Sequence, residues 1–210
     1  MAKGKLITIE GIDGAGKSTL ADALAGAIAG RVPVELLREP GGVDLSERIR
    51  ALVKDPGIEV GAAAEALLYA AARAQLVHER LLPLLHSGAV VLLDRFVDSS
   101  LAYQGAARGL GVERVRQVNL MATGGLTPDR TLLLRIDPAS GRLRQSGRGE
   151  EPDRLEREAE EFFDRVAGAY DALAASEPER IRVIDALADP DAVLRRALAE
   201  IEDLLPPPAR

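Results

Sequence analysis

Cysteine is absent from this chain, and so is tryptophan. Without cysteine there is no disulfide, no thiolate-bound zinc and no thiol nucleophile. Lysine is scarce, occurring only at positions 3, 5, 17 and 54. The net charge is −6, which excludes a general basic field that would draw nucleic acid. An anionic ligand must then be held locally, by placed arginines and backbone amides. Long apolar runs are missing as well. None approaches the length that spans a bilayer, and the apolar part of MAKGKLITIEG is too short for a signal peptide. The expected location is the cytoplasm, with neither nucleic acid nor membrane as a partner.

What is present is ordinary globular material. The chain has 210 residues, 47% hydrophobic and 29% charged, enough for one domain with a substantial core. No repeat or linker divides it, so residues 1–210 are expected to form a single domain. LITIE (6–10) reads as a buried strand and 18–29 as a helix. Residues 32–37 suggest a second strand, with Pro33 suited to its start or to a sheet edge. REPGG (38–42) reads as loop. Helical periodicity over 62–85 predicts one long helix, with His78 and His86 on its surface or near its end. AVVLLD (89–94) is apolar on both faces, as in a covered parallel sheet. Helices are expected near 98–107 and 112–122, and a strand at 130–136. The polar stretch 140–153 reads as an exposed, mobile flap. Residues 154–174 predict a helix with Leu155, Ala159, Phe162, Val166 and Leu173 on one stripe. A strand at 180–186 and a helix at 190–205 follow. Alternating strands and helices predict an α/β fold of the P-loop type, a parallel five-stranded sheet covered by helices on both faces.

The chemistry is concentrated between Gly11 and Thr19. Gly11, Ile12, Asp13, Gly14, Ala15, Gly16, Lys17 and Ser18 match the phosphate-loop pattern, with a strand before and a helix after. Glycines let successive N–H groups turn inward around a phosphate, and the helix start, with Thr19 in its first turn, adds its positive end. Lys17 can reach the β- and γ-phosphates of a nucleoside triphosphate, and the Ser18 hydroxyl can ligate Mg²⁺. Asp94 ends the strongest strand, where open α/β sheets bind ligands; a carboxylate there can join the magnesium shell. Arg95 follows and could bridge donor and acceptor phosphates, although an Asp-Arg pair could equally be a surface ion pair. Tyr69 and Arg73 lie four apart on one helix face. They could grip a nucleobase, or Tyr69 could sit in the core while Arg73 snorkels to solvent. Arg142, Arg144 and Arg148 in the flap could converge on one phosphate chain. Asp153 and Glu156 form an Asp-x-x-Glu capping pattern at a helix start.

Taken together, EGIDGAGKST, REPGG, EALLYAAARAQ, DRFVDSSLAYQG, DRLE and VIDA stand in the order and spacing of bacterial thymidylate kinases. The resemblance spans about residues 5–201. It implies transfer of the γ-phosphoryl group of ATP to dTMP, giving dTDP and ADP, with Mg²⁺ and as a homodimer. It places Asp13 at the 3′-hydroxyl of the sugar, Tyr69 against thymine, Arg73 and Gln104 on the base edge, Ser100 near the base and Tyr103 at the 2′ position. Arg95 clamps the acceptor phosphate, and Asp153 and Glu156 join the substrate-binding set. Gly14 stands where the eukaryotic type has arginine, so the lid, about 139–153, is implied to supply the transition-state charge through Arg142, Arg144 or Arg148. VIDA (183–186) would border the adenine. Phe96, Val43, Leu76 and Tyr69 depart from the usual residues. Other nucleotide kinases remain a rival reading. A GTP switch is disfavoured, since the only asparagine, Asn119, does not begin an Asn-Lys-x-Asp segment.

Overall fold

The computed structural model describes residues 4–147 and 153–207. Five strands form one sheet: β1 (Lys5–Glu10), β2 (Val34–Arg38), β3 (Val90–Asp94), β4 (Arg130–Arg135) and β5 (Ile181–Asp185). Their order is β2-β3-β1-β4-β5, and each pairing is parallel. β2, entered through Pro33, is an edge strand. In β3 the four residues Val90 to Leu93 are all buried. Successive side chains of a strand point to opposite faces, so both faces of the sheet are covered there.

On one side α1 (Lys17–Ile28) packs Leu20, Leu24 and Ile28 into the main core with Ile7, Ile9 and Leu92. α9 (Pro190–Ile201) lies beside α1. α8 (Glu160–Ser176) contributes Phe162, Val166 and Tyr170 to that core. Each such large apolar side chain contributes roughly 1.5–3 kcal/mol on burial. The parallel register sets Ile9 opposite Asp94. The phosphate loop leaving β1 and the Asp94-Arg95 pair leaving β3 therefore share one sheet edge.

Several elements differ from the expectation. Residues 43–61 contain a helix, α2 (Asp44–Lys54), which buries Ser46, Ile49 and Val53. The long helix expected over 62–85 is α3 (Ala62–Leu76), a wider π-type turn (Val77–Leu81) and α4 (Leu82–His86). The widening falls just before Pro83, which has no N–H to continue an α-helical ladder. The segment near 98–107 is α5 (Val97–Ser100) running into a π-type stretch, Leu101–Ala107; α6 (Val112–Thr123) follows.

The flap is not a loop in its first half: Pro138–Ser146 form α7. Asp137 caps it, accepting from the Ser140 amide at 2.9 Å, and Pro138 suits the first helical turn. Arg148 lies outside the described residues. The Asp153 and Glu156 capping pair does form, with the Glu156 carboxylate accepting from the Asp153 amide at 2.9 Å. It closes only an isolated turn, tied down by Lys54–Asp153 at 2.8 Å, and α8 begins at Glu160. Leu155 and Ala159 thus precede the helix expected to carry them. The last helix ends at Ile201, followed by one 3₁₀ turn, Glu202–Leu204.

Candidate active site

The phosphate loop is shaped by glycines with left-handed backbone. Gly14 has φ +81, and a Cβ there would lie 2.1 Å from the carbonyl oxygen of Gly141. The loop and helix α7 therefore touch backbone to backbone, which only glycine permits. Gly16 precedes α1, and no side chain caps the helix start. Its first-turn N–H groups are left for an anion, and the helix dipole favours one.

Lys17 is buried and its Nζ donates to the Ile12 carbonyl at 2.9 Å. Burial, then the Arg95 guanidinium, pull its ammonium down to about 8, against the opposing pull of Asp13 and Asp94. Asp13 Oδ1 accepts from Arg95 Nη2 at 2.6 Å, and the Tyr103 hydroxyl stands 3.4 Å from Oδ2. Burial pushes the Asp13 carboxyl up, but Arg95 and Lys17 together hold it well below the usual carboxylate range. Ile12 and Ala15 are buried under the loop. Ser18 and Thr19 are exposed.

Ser18 Oγ donates to Asp94 Oδ2 at 3.0 Å, while Asp94 Oδ1 is buried without a hydrogen-bond partner. An unpartnered carboxylate oxygen beside a hydroxyl suits a hard divalent cation that brings its own phosphate and water ligands. Among the described residues, no three His, Cys, Asp or Glu side chains gather as a protein-only metal cage.

One cavity of about 280 Å³ joins this loop to the pocket beyond Arg95. Asp13, Gly14, Gly16, Lys17, Ser18 and Asp94 line it together with Tyr69, Arg73, Arg95, Ser100, Tyr103, Gln104, Asp153 and Glu156. Positions separated by up to 143 residues in sequence thus meet.

Arg73 neither snorkels nor keeps a donor free. It is buried, with Nε on Glu39 at 2.7 Å, Nη1 on Ser100 Oγ at 3.0 Å and on Asn119, and Nη2 on the Phe96 carbonyl at 2.9 Å and on Glu39 at 2.6 Å. Its guanidinium also stacks over the Phe96 ring at 5.4 Å. Gln104 Nε2 donates to Glu65 Oε1 at 2.9 Å, leaving its amide oxygen to accept from a ligand. Glu65 is itself wholly buried, held by Arg108 at 3.1 Å and Arg154 at 2.6 Å. Tyr69 packs beside Ile49, Val53 and Ala72.

Two lid arginines do not meet the phosphate site. Arg142 pairs with Glu160 at 3.7 Å and lies over Phe163 at 5.7 Å. Arg144 Nη1 donates to the Ala186 carbonyl at 2.9 Å. Each finds a partner on α8 or after β5, so α7 presents neither to the loop.

Read from the sequence, Glu10, Glu39, Glu65 and Ser99 carry no site role, and Asn119 is weighed only as a guanine-reading residue. Glu10 carried a signal: a carboxylate closing an otherwise apolar strand. Glu39 and Asn119 carried none, because only the fold brings them to Arg73.

A parallel sheet opening onto a glycine-shaped anion cradle, with a carboxylate and an arginine at the end of the neighbouring strand, defines a P-loop nucleotide-binding protein. The thymidylate kinase family model matches residues 9–197, and the chain belongs to that family. It is 49% identical to the thymidylate kinase of Deinococcus radiodurans over 91% of this chain and 93% of that protein. It is 44% identical to the thymidylate kinase of Lactobacillus delbrueckii, over 97% and 98%. The crystal structure of thymidylate kinase from Ehrlichia chaffeensis superposes with a TM-score of 0.77 at 27% identity, covering 95% of this chain and 99% of that one.

Proposed function

We propose that the protein transfers the γ-phosphoryl group of ATP to dTMP, giving dTDP and ADP for DNA precursor synthesis. The observation that carries this reading is the single cavity running from Lys17 and Ser18, past Arg95, to Tyr69 and Gln104. It brings the phosphate-loop residues and the residues read as a base pocket into one space, with Arg95 among its lining.

In this reading the loop amides and Lys17 hold the β- and γ-phosphates of ATP, and the adenine borders residues 183–186. Ser18 and Asp94 would hold Mg²⁺, which would supply positive charge to offset that of the transferring phosphoryl group. Arg95 holds the dTMP phosphate in line. A phosphate oxygen of dTMP forms the new bond to the γ-phosphorus, and the bond to the β,γ-bridging oxygen breaks, releasing ADP. The acceptor is already an anion, so no side chain need remove a proton; positioning and charge stabilisation do the catalysis. Tyr69 stacks on the base. The Gln104 amide oxygen, fixed by Glu65, accepts from the imide N–H that thymine and uracil carry and cytosine lacks. Tyr103, held against Asp13, crowds a 2′-hydroxyl, and Asp13 meets the 3′-hydroxyl. Asp153 and Glu156 close the wall beside the acceptor.

Residues 139–153 act as a lid over the bound nucleotides. For Arg142 or Arg144 to reach the transferring phosphoryl group, it must leave Glu160 or the Ala186 carbonyl; Arg148 is the third candidate. A homodimer, implied by the resemblance, suits the exposed Leu67, Leu120 and Met121 on α3 and α6; light scattering would give twice the chain mass. Crystals grown with dTMP test the reading directly. The base is expected against Tyr69 and its phosphate on Arg95; a base lodged elsewhere contradicts it.

A further inference from the structure

Glu10, the last residue of β1, has no part in the machinery above, yet it is a wholly buried carboxylate at the sheet edge that carries the site. Burying such a group is costly unless every oxygen is bonded, and here each is bonded twice. Oε1 accepts from the Phe96 amide at 2.8 Å and the Ser99 amide at 3.3 Å. Oε2 accepts from Ser99 Oγ at 2.6 Å and from the Tyr170 hydroxyl at 2.8 Å.

All but one of these partners belong to the turn that presents Arg95. Among the described residues Arg95 is the only non-glycine with positive φ, at 70°, a conformation that persists only when its surroundings enforce it. β1 pins it from both sides: the Arg95 amide donates to the Ile9 carbonyl at 3.0 Å, and the next amide donates to Glu10. The side chain is aimed as well. Ser99 Oγ, while donating to Glu10, accepts from Arg95 Nη1 at 3.1 Å, and Arg95 Nη2 is held by Asp13 at 2.6 Å. Glu10, Ser99, Arg95 and Asp13 form one chain of hydrogen bonds across the cavity wall.

We propose that Glu10 and Ser99 are positioning residues for the acceptor site: the Glu10 carboxylate fixes the backbone and the Ser99 hydroxyl that aim the Arg95 guanidinium at the phosphate of the incoming nucleotide. The ligand chemistry concerned is a phosphate monoester dianion. The inference rests on the reading of Arg95 given under Proposed function.

The test compares dissociation constants for dTMP and for thymidine, which has the same base and sugar but no phosphate, measured by calorimetry on the full-length protein. Arg95→Ala serves as the reference and is expected to weaken dTMP while sparing thymidine. Ser99→Ala and Glu10→Gln are each expected to weaken dTMP roughly tenfold, the loss of one hydrogen bond to a charged group, with thymidine changed less than twofold. Ser99→Thr, which keeps the hydroxyl, restores dTMP binding. The double variant is expected to be little worse than either single one, because both act through the same guanidinium. Should either substitution weaken both ligands alike, or neither, while Arg95→Ala still discriminates, the positioning role is overturned and Glu10 only packs the turn. Failure of Arg95→Ala to discriminate overturns the clamp itself, and the inference falls with it. Ser99→Ala removes a single oxygen, so it carries the test even if Glu10→Gln does not fold.

Discussion

Lys17 and Glu10 illustrate how much one side chain decides here. Lys17 is held by a backbone carbonyl of its own loop and supports little of the core, so its removal is expected to act on chemistry alone. Lys17→Ala should lower phosphoryl transfer by roughly 10³-fold or more with an unchanged melting temperature; near-normal turnover would contradict the assignment. Glu10 makes the opposite case. Burial, reinforced by Asp98, pushes its carboxyl from 4.5 up to about 7, against the pull of Ser99 and Arg95. A carboxyl raised on folding favours the folded state below its unfolded pKa, and that contribution is lost as pH rises from about 4.5 through 7. The loss amounts to at most about 3 kcal/mol. Urea unfolding of Glu10→Gln should therefore show stability gaining on the parent between pH 5 and pH 8. A pH-independent difference would show that Glu10 stays ionised throughout.

At the scale of elements, the contact between the phosphate loop and α7 stands out. With Gly14 at φ +81 and 2.1 Å from the Gly141 oxygen for any added Cβ, helix α7 is seated on bare backbone. Gly14→Ala must both strain the loop and lift α7. The expected cost is about 1–3 kcal/mol, lowering the melting temperature by roughly 3–10 °C; an unchanged value would mean that the seat is loose. The lid arginines call for a kinetic test. Alanine at the one that reaches the transition state should cut kcat by roughly 10³-fold with KM for dTMP preserved, and equal small losses at 142, 144 and 148 would rule out a single finger.

The elements also show what sequence periodicity reveals. The strands and α1 were legible because their apolar runs are bounded by glycine or proline. α2 was missed although Ile49 and Val53 repeat at helical spacing, because Leu45 and Leu52 stay partly exposed and blur the stripe. The stretch 140–153 reads as an exposed, mobile flap because its polar, glycine-containing composition hides the Asp137 cap and the Pro138 start of α7. The turn at Asp153 carries a helix-start signature that its own hydrogen bonds satisfy without a helix following at once.

For the molecule as a whole, the parallel order β2-β3-β1-β4-β5 is what makes one site of distant segments. Adjacent β1 and β3 put the phosphate loop beside Arg95. α3 and the stretch after α5 supply Tyr69, Arg73 and Gln104 to the same cavity. The phosphate-holding half of that cavity was readable as a motif, since loop, lysine and hydroxyl are contiguous. The residues around Arg73 are legible only through the family resemblance, and its partners Glu39, Ser100 and Asn119 come from three separate segments, so their pairing is a product of folding. In the proposed reading base choice depends on that second half, with one methyl group separating thymine from uracil, a difference worth about 1–3 kcal/mol. The most direct measurement is ADP release from ATP and Mg²⁺ across a panel of nucleoside monophosphates. The expected result is fastest turnover with dTMP, a markedly slower rate with dUMP, little with dCMP or purine nucleotides, and almost none without an acceptor. Turnover that ignores the added monophosphate, or that prefers another base, would contradict the account.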